Sequence, residues 1–380
     1  MKLVAVAKLL PTSDQRAALL ATMERFNAAC DWLAGAAHAA GCASQYELQR
    51  DHYRALRERF GLSSQMAVRA LAKVCEVYKR DPAVRPTVRP RGAIPYDRRI
   101  LSFKADDCAS LLTLEGRIVV PFVAGEHHRA RLDGARGQAD LVLRKGRWYL
   151  YVTVDVPAAT PRPATEFLGV DLGIVNLATD SDPDSEPYAG AKVEAVRVRI
   201  LNLRGALQQA GTPSAKRHLK RLAGREAGFR ADVNHTISKR IVAKAKDTGR
   251  AIALEDLKGI RDRVTVRKSQ RARHGGWAFF QLRAFVTYKC QVAGVPLVLV
   301  DPRNTSRTCP ECGHCDKANR RSQAEFVCKS CGYAAPADYV GARNIARRAA
   351  VNRPIVPVVD AGNGDYHPST SRRLGTSPGL

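Results

Sequence analysis

Negative charge is what this chain has least of. Only 36 Asp+Glu stand against 62 Lys+Arg, leaving a formal net charge of +26 over 380 residues. A surplus of that size calls for a polyanionic partner. Long hydrophobic runs are also missing. No stretch approaches the ~18 apolar residues of a membrane span, and the apolar segment Leu3–Ala7 stops at Lys8, too short for a secretory signal core. A cytoplasmic protein with no membrane partner is therefore expected. No repeat of fixed period is evident. Hydrophobic residues still make up 45% of the chain, enough for one large or two to three modest cores, so disorder of the bulk is excluded. Ten cysteines could suggest disulfides, but five lie between Cys309 and Cys331. In a reducing compartment that clustering favours a metal.

Residues 1–10 alternate like a strand, and Thr12 with Gln15 after Pro11 forms a capping box for a helix. Leu19, Met23, Phe26, Cys30 and Leu33 recur at helical spacing, and a second helix is expected over Gln65–Arg80. From Val84 the prolines Pro86, Pro90 and Pro95 forbid long helices, and short strands follow over 94–103, 111–114, 117–122 and 139–156. The segment LVLRKGRWYLYV reads as a hairpin turning at Lys145-Gly146. One strand before the helices and several after them predict a helical unit inserted into a β-barrel. A proline-rich connector, 156–163, marks a boundary. Beyond it, apolar runs at 167–171, 177–180, 193–200, 251–254 and 297–301 read as strands. With helices near 215–247 and 278–292 they give α/β order. Residues 197–250 carry 14 Lys+Arg and 3 Asp+Glu, a pattern that suits a helix tracking a phosphate backbone.

Two groups of residues carry chemistry. Cys309-Pro-Glu-Cys312 and Cys328-Lys-Ser-Cys331 can close a tetrahedral Zn²⁺ site of the structural kind, with Cys315 as a spare thiol. Cys30, Cys75, Cys108 and Cys290 read as small buried hydrophobes. The second group is acidic. Asp171 and Glu255 end apolar strands, and Asp338 opens an amphipathic helix directly after the cysteines. Each alone has a bland explanation, as turn residue, strand terminus or helix cap. Converging on one edge of an α/β sheet, their hard oxygens would hold Mg²⁺ or Mn²⁺, and two such ions activate water and stabilise a leaving oxygen at a phosphodiester. His235 reads as a surface histidine rather than a phosphate contact, Trp277, Phe279 and Phe280 as core rather than base-stacking residues. Arg343 and Asn344, about one turn beyond Asp338, are candidates to steady it.

The segments GVDLGIVNLATD, ALEDL, HGGWAFFQLRAFVTYKCQVAGVPLVLVDPRNTSRTCPECG and CGYAAPADYVGARNIA, in this order, resemble the TnpB (OrfB) family of transposon-encoded proteins. These are RNA-guided DNA endonucleases related to compact type V CRISPR effectors and to Fanzor proteins. The resemblance is specific from 165 to 350 and extends more loosely through PTSDQ and SFKADD to nearly the whole chain. It implies a fold of α/β plus β-barrel. A wedge barrel (1–10 and 86–160) would carry an inserted helical recognition unit (11–85). A RuvC-like nuclease of RNase H fold (164–308 and 332–352) would be interrupted by a zinc ribbon (309–331), and a flexible tail would follow (353–380). It also implies Asp171, Glu255 and Asp338 as catalytic, Mg²⁺-holding residues, Cys309, Cys312, Cys328 and Cys331 as zinc ligands, and a guide RNA from the element end and target DNA as partners. One departure lies at Asn304 and Arg307, where many members have Tyr and Gln. The resulting expectation is an RNA-guided, Mg²⁺-dependent DNA endonuclease of a bacterial insertion element. The alternatives are an RNA-guided DNA-binding repressor that does not cut, a transposase that joins strands itself, and a zinc-ribbon RNA-binding protein.

Overall fold

The structure, a computed structural model, describes residues 1–42, 44–81, 83–132, 136–256 and 279–351. It is mixed α/β and divides into two compact units, Met1–Pro157 and Ala158–Leu380.

The first unit opens with β1 (Lys2–Leu9), leaves for three helices and returns to a sheet. The helices are α1 (Ser13–Ala39), α2 (Gln45–Phe60) and α3 (Ser64–Arg80). Thr12 and Gln15 form the expected reciprocal cap of α1, and Leu19, Met23, Phe26, Cys30 and Leu33 are all buried. Helix α2 was not foreseen. Its sequence QYELQRDHYRALRERF buries only Leu48 and Leu56, too sparse a stripe to show a period. The chain then forms β2 (Ile94–Tyr96), β3 (Leu101–Lys104), β4 (Cys108–Thr113), β5 (Gly116–Val123), α4 (Glu126–Leu132), β6 (Arg136–Arg144) and β7 (Arg147–Asp155). These strands join β1 in one curled antiparallel sheet ordered β2-β6-β7-β1-β5-β4-β3. Strand β1 pairs with β7 from Lys2 to Lys8 and with β5 at Lys8 and Leu9, so the helices are an excursion between two strands of the same sheet. The β6–β7 hairpin turns at Lys145 and Gly146, both left-handed (φ 51° and 73°), the geometry that matches strand twist in a two-residue turn.

The second unit is built on β8 (Phe167–Asp171), β9 (Asn176–Asp180), β10 (Tyr188–Ala189), β11 (Ala251–Glu255) and β12 (Leu297–Val300), in the order β10-β9-β8-β11-β12. Strands β8, β11 and β12 run parallel, while β9 is antiparallel to both of its neighbours, β8 and β10. Residues 193–200, expected as a strand, are instead helical, within α5 (Ala191–Ala210). The alternation VEAVRVRI mimics a strand, but Gly190 and the left-handed Gly211 bound a helix, and Glu194 pairs with Arg197 at i,i+3. Helix α6 (Pro213–Asp247) follows, with Thr212 as its cap and Pro213 at its first position.

Alternation along β8 and β11 decides what each sheet face meets. Leu168, Val170, Ile252 and Leu254 pack with Ile237, Ile241 and Val242 of α6, and with Leu282, Val286 and Cys290 of α7 (Phe279–Ala293). The other parity, with Ala253 and Val300, packs with Ile345 and Ala349 of α8 (Ala337–Val351). Gly169 belongs to that second parity. A Cβ there would fall onto the Ala342 carbonyl and within 2.6 Å of the Ala346 nitrogen, so glycine lets α8 lie directly on β8. We expect Gly169→Ala to lower stability by about 1–3 kcal/mol or more through forced separation. The urea midpoint reads this, and a midpoint equal to wild type contradicts it.

Candidate metal and catalytic site

Strands β8 and β11 lie side by side in parallel register, with Val170 opposite Leu254, so Asp171 and Glu255 terminate adjacent strands at the same edge. Both have the parity that faces α8. On that helix Asp338 stands in the first turn, and Gly341, Ala342, Ile345 and Ala349 continue its face at helical spacing. A Cβ on Gly341 would come within 2.9 Å of Asp171 Oδ2, so the helix backbone rests against that carboxylate. The three acids thus meet at the C-terminal edge of the sheet, two from strands and one from the helix across them.

Their surroundings are unfriendly to ionised oxygen. Burial first, then the carboxylates of Glu255 and Asp338, push Asp171 up to about 8. Burial also raises Glu255. A hydrogen bond from the Thr305 hydroxyl (2.5 Å) and the charges of Arg348 and Arg320 partly offset that rise. Asp338 accepts from Asn176 Nδ2 at 2.9 Å, and Arg320 Nη2 lies 3.9 Å from its other oxygen. Three partly buried carboxylates with so little positive charge between them suit a hard divalent cation. Their oxygens are not drawn together as tightly as the cysteine sulfurs described below, which form the one donor group among the described residues with all ligand atoms within 4.8 Å.

Three supporting residues were not singled out in the sequence. Thr305 and Asn176 are unremarkable letters in loop-like stretches, and Arg320 lies among scattered cations. Only the fold brings them to the acids. Arg343 and Asn344 do not steady Asp338. Arg343 bonds Glu311 and the Tyr333 hydroxyl, and the buried Asn344 amide donates to the carbonyls of Thr305 and Thr308 at 2.7 and 2.8 Å. Asn344 therefore fixes the loop that delivers Thr305 to Glu255. In that loop Asn304 is left-handed (φ 63°), which asparagine tolerates better than a bulkier side chain. Thr305→Val is expected to weaken divalent-cation binding at the acids by about tenfold, as read by Mn²⁺ titration, and Thr305→Ser to restore it. Unchanged Mn²⁺ affinity in the valine variant contradicts the assignment.

The four cysteines form a separate site. Cys309 and Cys328 each begin a matching turn. Gly313 N–H returns to the Cys309 carbonyl and Gly332 N–H to the Cys328 carbonyl, both glycines left-handed. The Cys309–Cys331 and Cys312–Cys328 sulfurs are 3.6 Å apart. That is far beyond a disulfide bond and close to the ~3.8 Å edge of a tetrahedron with ~2.3 Å metal–sulfur bonds. Against burial, which would raise it, backbone N–H groups of Cys331 and Ser330 and the neighbouring thiols pull Cys328 down, and the same sharing among the four thiols holds Cys331 up, so the cluster releases its first proton most readily from Cys328. The cluster fits zinc. Cys315 is exposed and outside it. Strands β13 (Glu325–Val327) and β14 (Ala334–Pro336) pair beside it, and β14 runs directly into α8.

Other expected positions resolve differently. Cys30, Cys75 and Cys290 are buried, but Cys108 sits half-exposed at a strand start with its sulfur beside the Asp106 carbonyl. His235 stacks on Phe285 at 3.8 Å. Phe280 is 76% exposed rather than core, because the buried stripe of α7 runs through Leu282, Val286 and Cys290 and leaves it on the opposite side. Trp277 and the tail 353–380 lie outside the described residues.

Comparison with known proteins bears on this pair of sites. Residues 279–345 match the family model "Cas12f1-like, TNB domain", and residues 149–259 match one described as "Probable transposase" of the OrfB_IS605 type. The chain is similar to TnpB (OrfB) and Cas12f1 proteins. It is 34% identical over 219 residues to a "CRISPR-associated endodeoxyribonuclease Cas12f1" of Sulfoacidibacillus thermotolerans, covering 53% of this chain and 50% of that one. It is 28% identical over 303 residues to the "Putative RNA-guided DNA endonuclease InsQ" of Escherichia coli K12, covering 74% and 72%. The chain spans about half the length of the Cas12f1 relatives it matches. The cryo-EM structure of CasPhi-2 (Cas12j) bound to crRNA has the same fold, with a TM-score of 0.51 at 11% identity, covering 92% of this chain and 98% of that one. No helix among the described residues is long and apolar enough to cross a membrane.

Proposed function

We propose that the protein is an RNA-guided, Mg²⁺-dependent DNA endonuclease of an insertion element, with a RuvC-like site in its second unit. The observation that carries this reading is the meeting of Asp171, Glu255 and Asp338 at one sheet edge, in a chain of net charge +26. The names of the relatives support the reaction class, since they are RNA-guided or CRISPR-associated DNA endonucleases. The three carboxylates would hold the catalytic ions, Mg²⁺ or Mn²⁺. When bound, such ions lower the pKa of water and stabilise the leaving oxygen of a phosphodiester.

The chain's own groups divide the remaining work. Thr305 orients one Glu255 oxygen and Asn176 one Asp338 oxygen, leaving the others for ligation. Arg320 stands close enough to the site to meet negative charge developing on a scissile phosphate. The basic outer surface of α6 offers exposed Lys216, Arg217, Lys220 and Arg221 to a phosphate backbone. Sequence would be read by base pairing with the guide, as RNA-guided effectors delegate it to their RNA. The four cysteines would hold a structural Zn²⁺.

The test is cleavage of a plasmid matched to an element-end RNA co-expressed with the protein. Site-specific cutting that requires Mg²⁺ and yields free ends is expected. Binding of the matched DNA without cutting, or joined rather than free products, overturns the reading.

A further inference from the structure

Strand β8 runs between β11 and β9, so Asp171 has a neighbour on each side. On β11 it is Glu255, one step beyond the Val170–Leu254 partners. On β9 it is Thr179, its direct cross-strand partner. Side chains directly opposite one another share a sheet face, with Cβ atoms ~5 Å apart. Thr179 therefore stands on the face that carries Asp171 toward α8, within reach of its carboxylate.

That threonine is only 5% exposed, and its hydroxyl has no hydrogen-bond partner. A buried donor without a partner is costly, and valine would fill the same space on a strand without that cost. Hydroxyls close by in the chain are engaged: Ser181 accepts from Gly169 N–H at 3.1 Å, and Ser185 donates to Asp180 at 2.8 Å. The three acids differ in the same respect. Glu255 accepts from the Thr305 hydroxyl and Asp338 from the Asn176 amide, whereas Asp171 has the Leu172 N–H and no side-chain donor among the described residues. An unpartnered donor and a carboxylate without a side-chain donor thus lie opposite each other. We propose that Thr179 is the positioning residue for Asp171, its hydroxyl donating to one carboxylate oxygen and leaving the other for a divalent cation. This deepens the three-acid reading above and rests on it.

The test uses the full zinc-loaded chain, with Mn²⁺ affinity read by electron paramagnetic resonance and thermal melting read without divalent cation. Thr179→Val should weaken Mn²⁺ binding by about tenfold. The same variant should melt no lower than wild type, since the isostere removes an unpaired buried donor. Thr179→Ser should restore Mn²⁺ affinity. In an Asp171→Asn background, Thr179→Val should weaken binding no further, because its effect passes through Asp171. Unchanged Mn²⁺ affinity in Thr179→Val overturns the proposal. So does a weakened affinity that comes with a lower melting temperature, or that adds in full to the loss in Asp171→Asn. If Asp171→Asn weakens Mn²⁺ binding and Thr179→Val does not, the metal site stands without this role. Mn²⁺ binding that Asp171→Asn leaves unchanged removes both.

Discussion

Asp171→Asn is expected to abolish cleavage, by about 10³-fold or more, while making the protein more stable in the absence of Mg²⁺. The two effects have one cause. Asp171 is held between Glu255 and Asp338 in a partly buried site, and its carboxyl is pushed up to about 8. A group whose folded pKa exceeds its ordinary value near ~3.9 binds its proton more tightly when folded. Its contribution to stability is therefore fully present at low pH and is lost as pH climbs from the ordinary carboxylate range toward 8. Asparagine keeps the shape without the charge, so at pH 8 the zinc-loaded, Mg²⁺-free variant should exceed wild type by roughly 1–3 kcal/mol, with the gap closing near pH 4. Adding Mg²⁺ should stabilise wild type and leave the variant unmoved. Thermal melts across that pH range check this. A variant less stable than wild type at pH 8, or equally stabilised by Mg²⁺, contradicts it.

Loss of zinc should reach the acids without touching them chemically. The small core around the cluster consists of Cys309, Phe326, Cys328, Ala337 and Val340, too little to hold a fold alone. Two of those residues, Ala337 and Val340, flank Asp338. Arg320 comes from the same segment, between the two cysteine pairs. Cys309→Ser is therefore expected to release the metal, loosen residues 309–336 and the first turn of α8, and reduce cleavage by about 100-fold. Cys315→Ser should keep both metal and activity. Zinc content per chain, together with amide exchange across residues 337–342, separates the outcomes. A Cys309→Ser protein that retains full cleavage after losing zinc contradicts this coupling.

Much of this site was legible because its residues break local rules. An acid at the end of an apolar strand, as in FLGVD and AIALE, has no reason in strand propensity, and two CxxC turns followed by glycine have few uses other than a metal. What remained hidden depends on the third dimension. Thr305 reaches Glu255 only because Asn344 pins its loop from a helix 39 residues away. Gly169 is a plain strand letter until α8 lies on it. The misassigned stretch 193–200 shows the opposite failure. Its period-2 pattern is strand-like, and packing against α6 overrides it. In α2 the apolar signal was too thin to see, and for α8 the expected helpers of Asp338 point elsewhere because Glu311, Tyr333 and the 305–308 carbonyls claim them.

The central claim is that Asp171, Glu255 and Asp338 form one divalent-metal site, and Mn²⁺ binding followed by electron paramagnetic resonance on the zinc-loaded chain tests it most directly. Saturable Mn²⁺ binding is predicted, weakened by about 10–100-fold in each of Asp171→Asn, Glu255→Gln and Asp338→Asn, with zinc content unchanged in all three. Mn²⁺ bound equally well by wild type and by any one of these variants would contradict it.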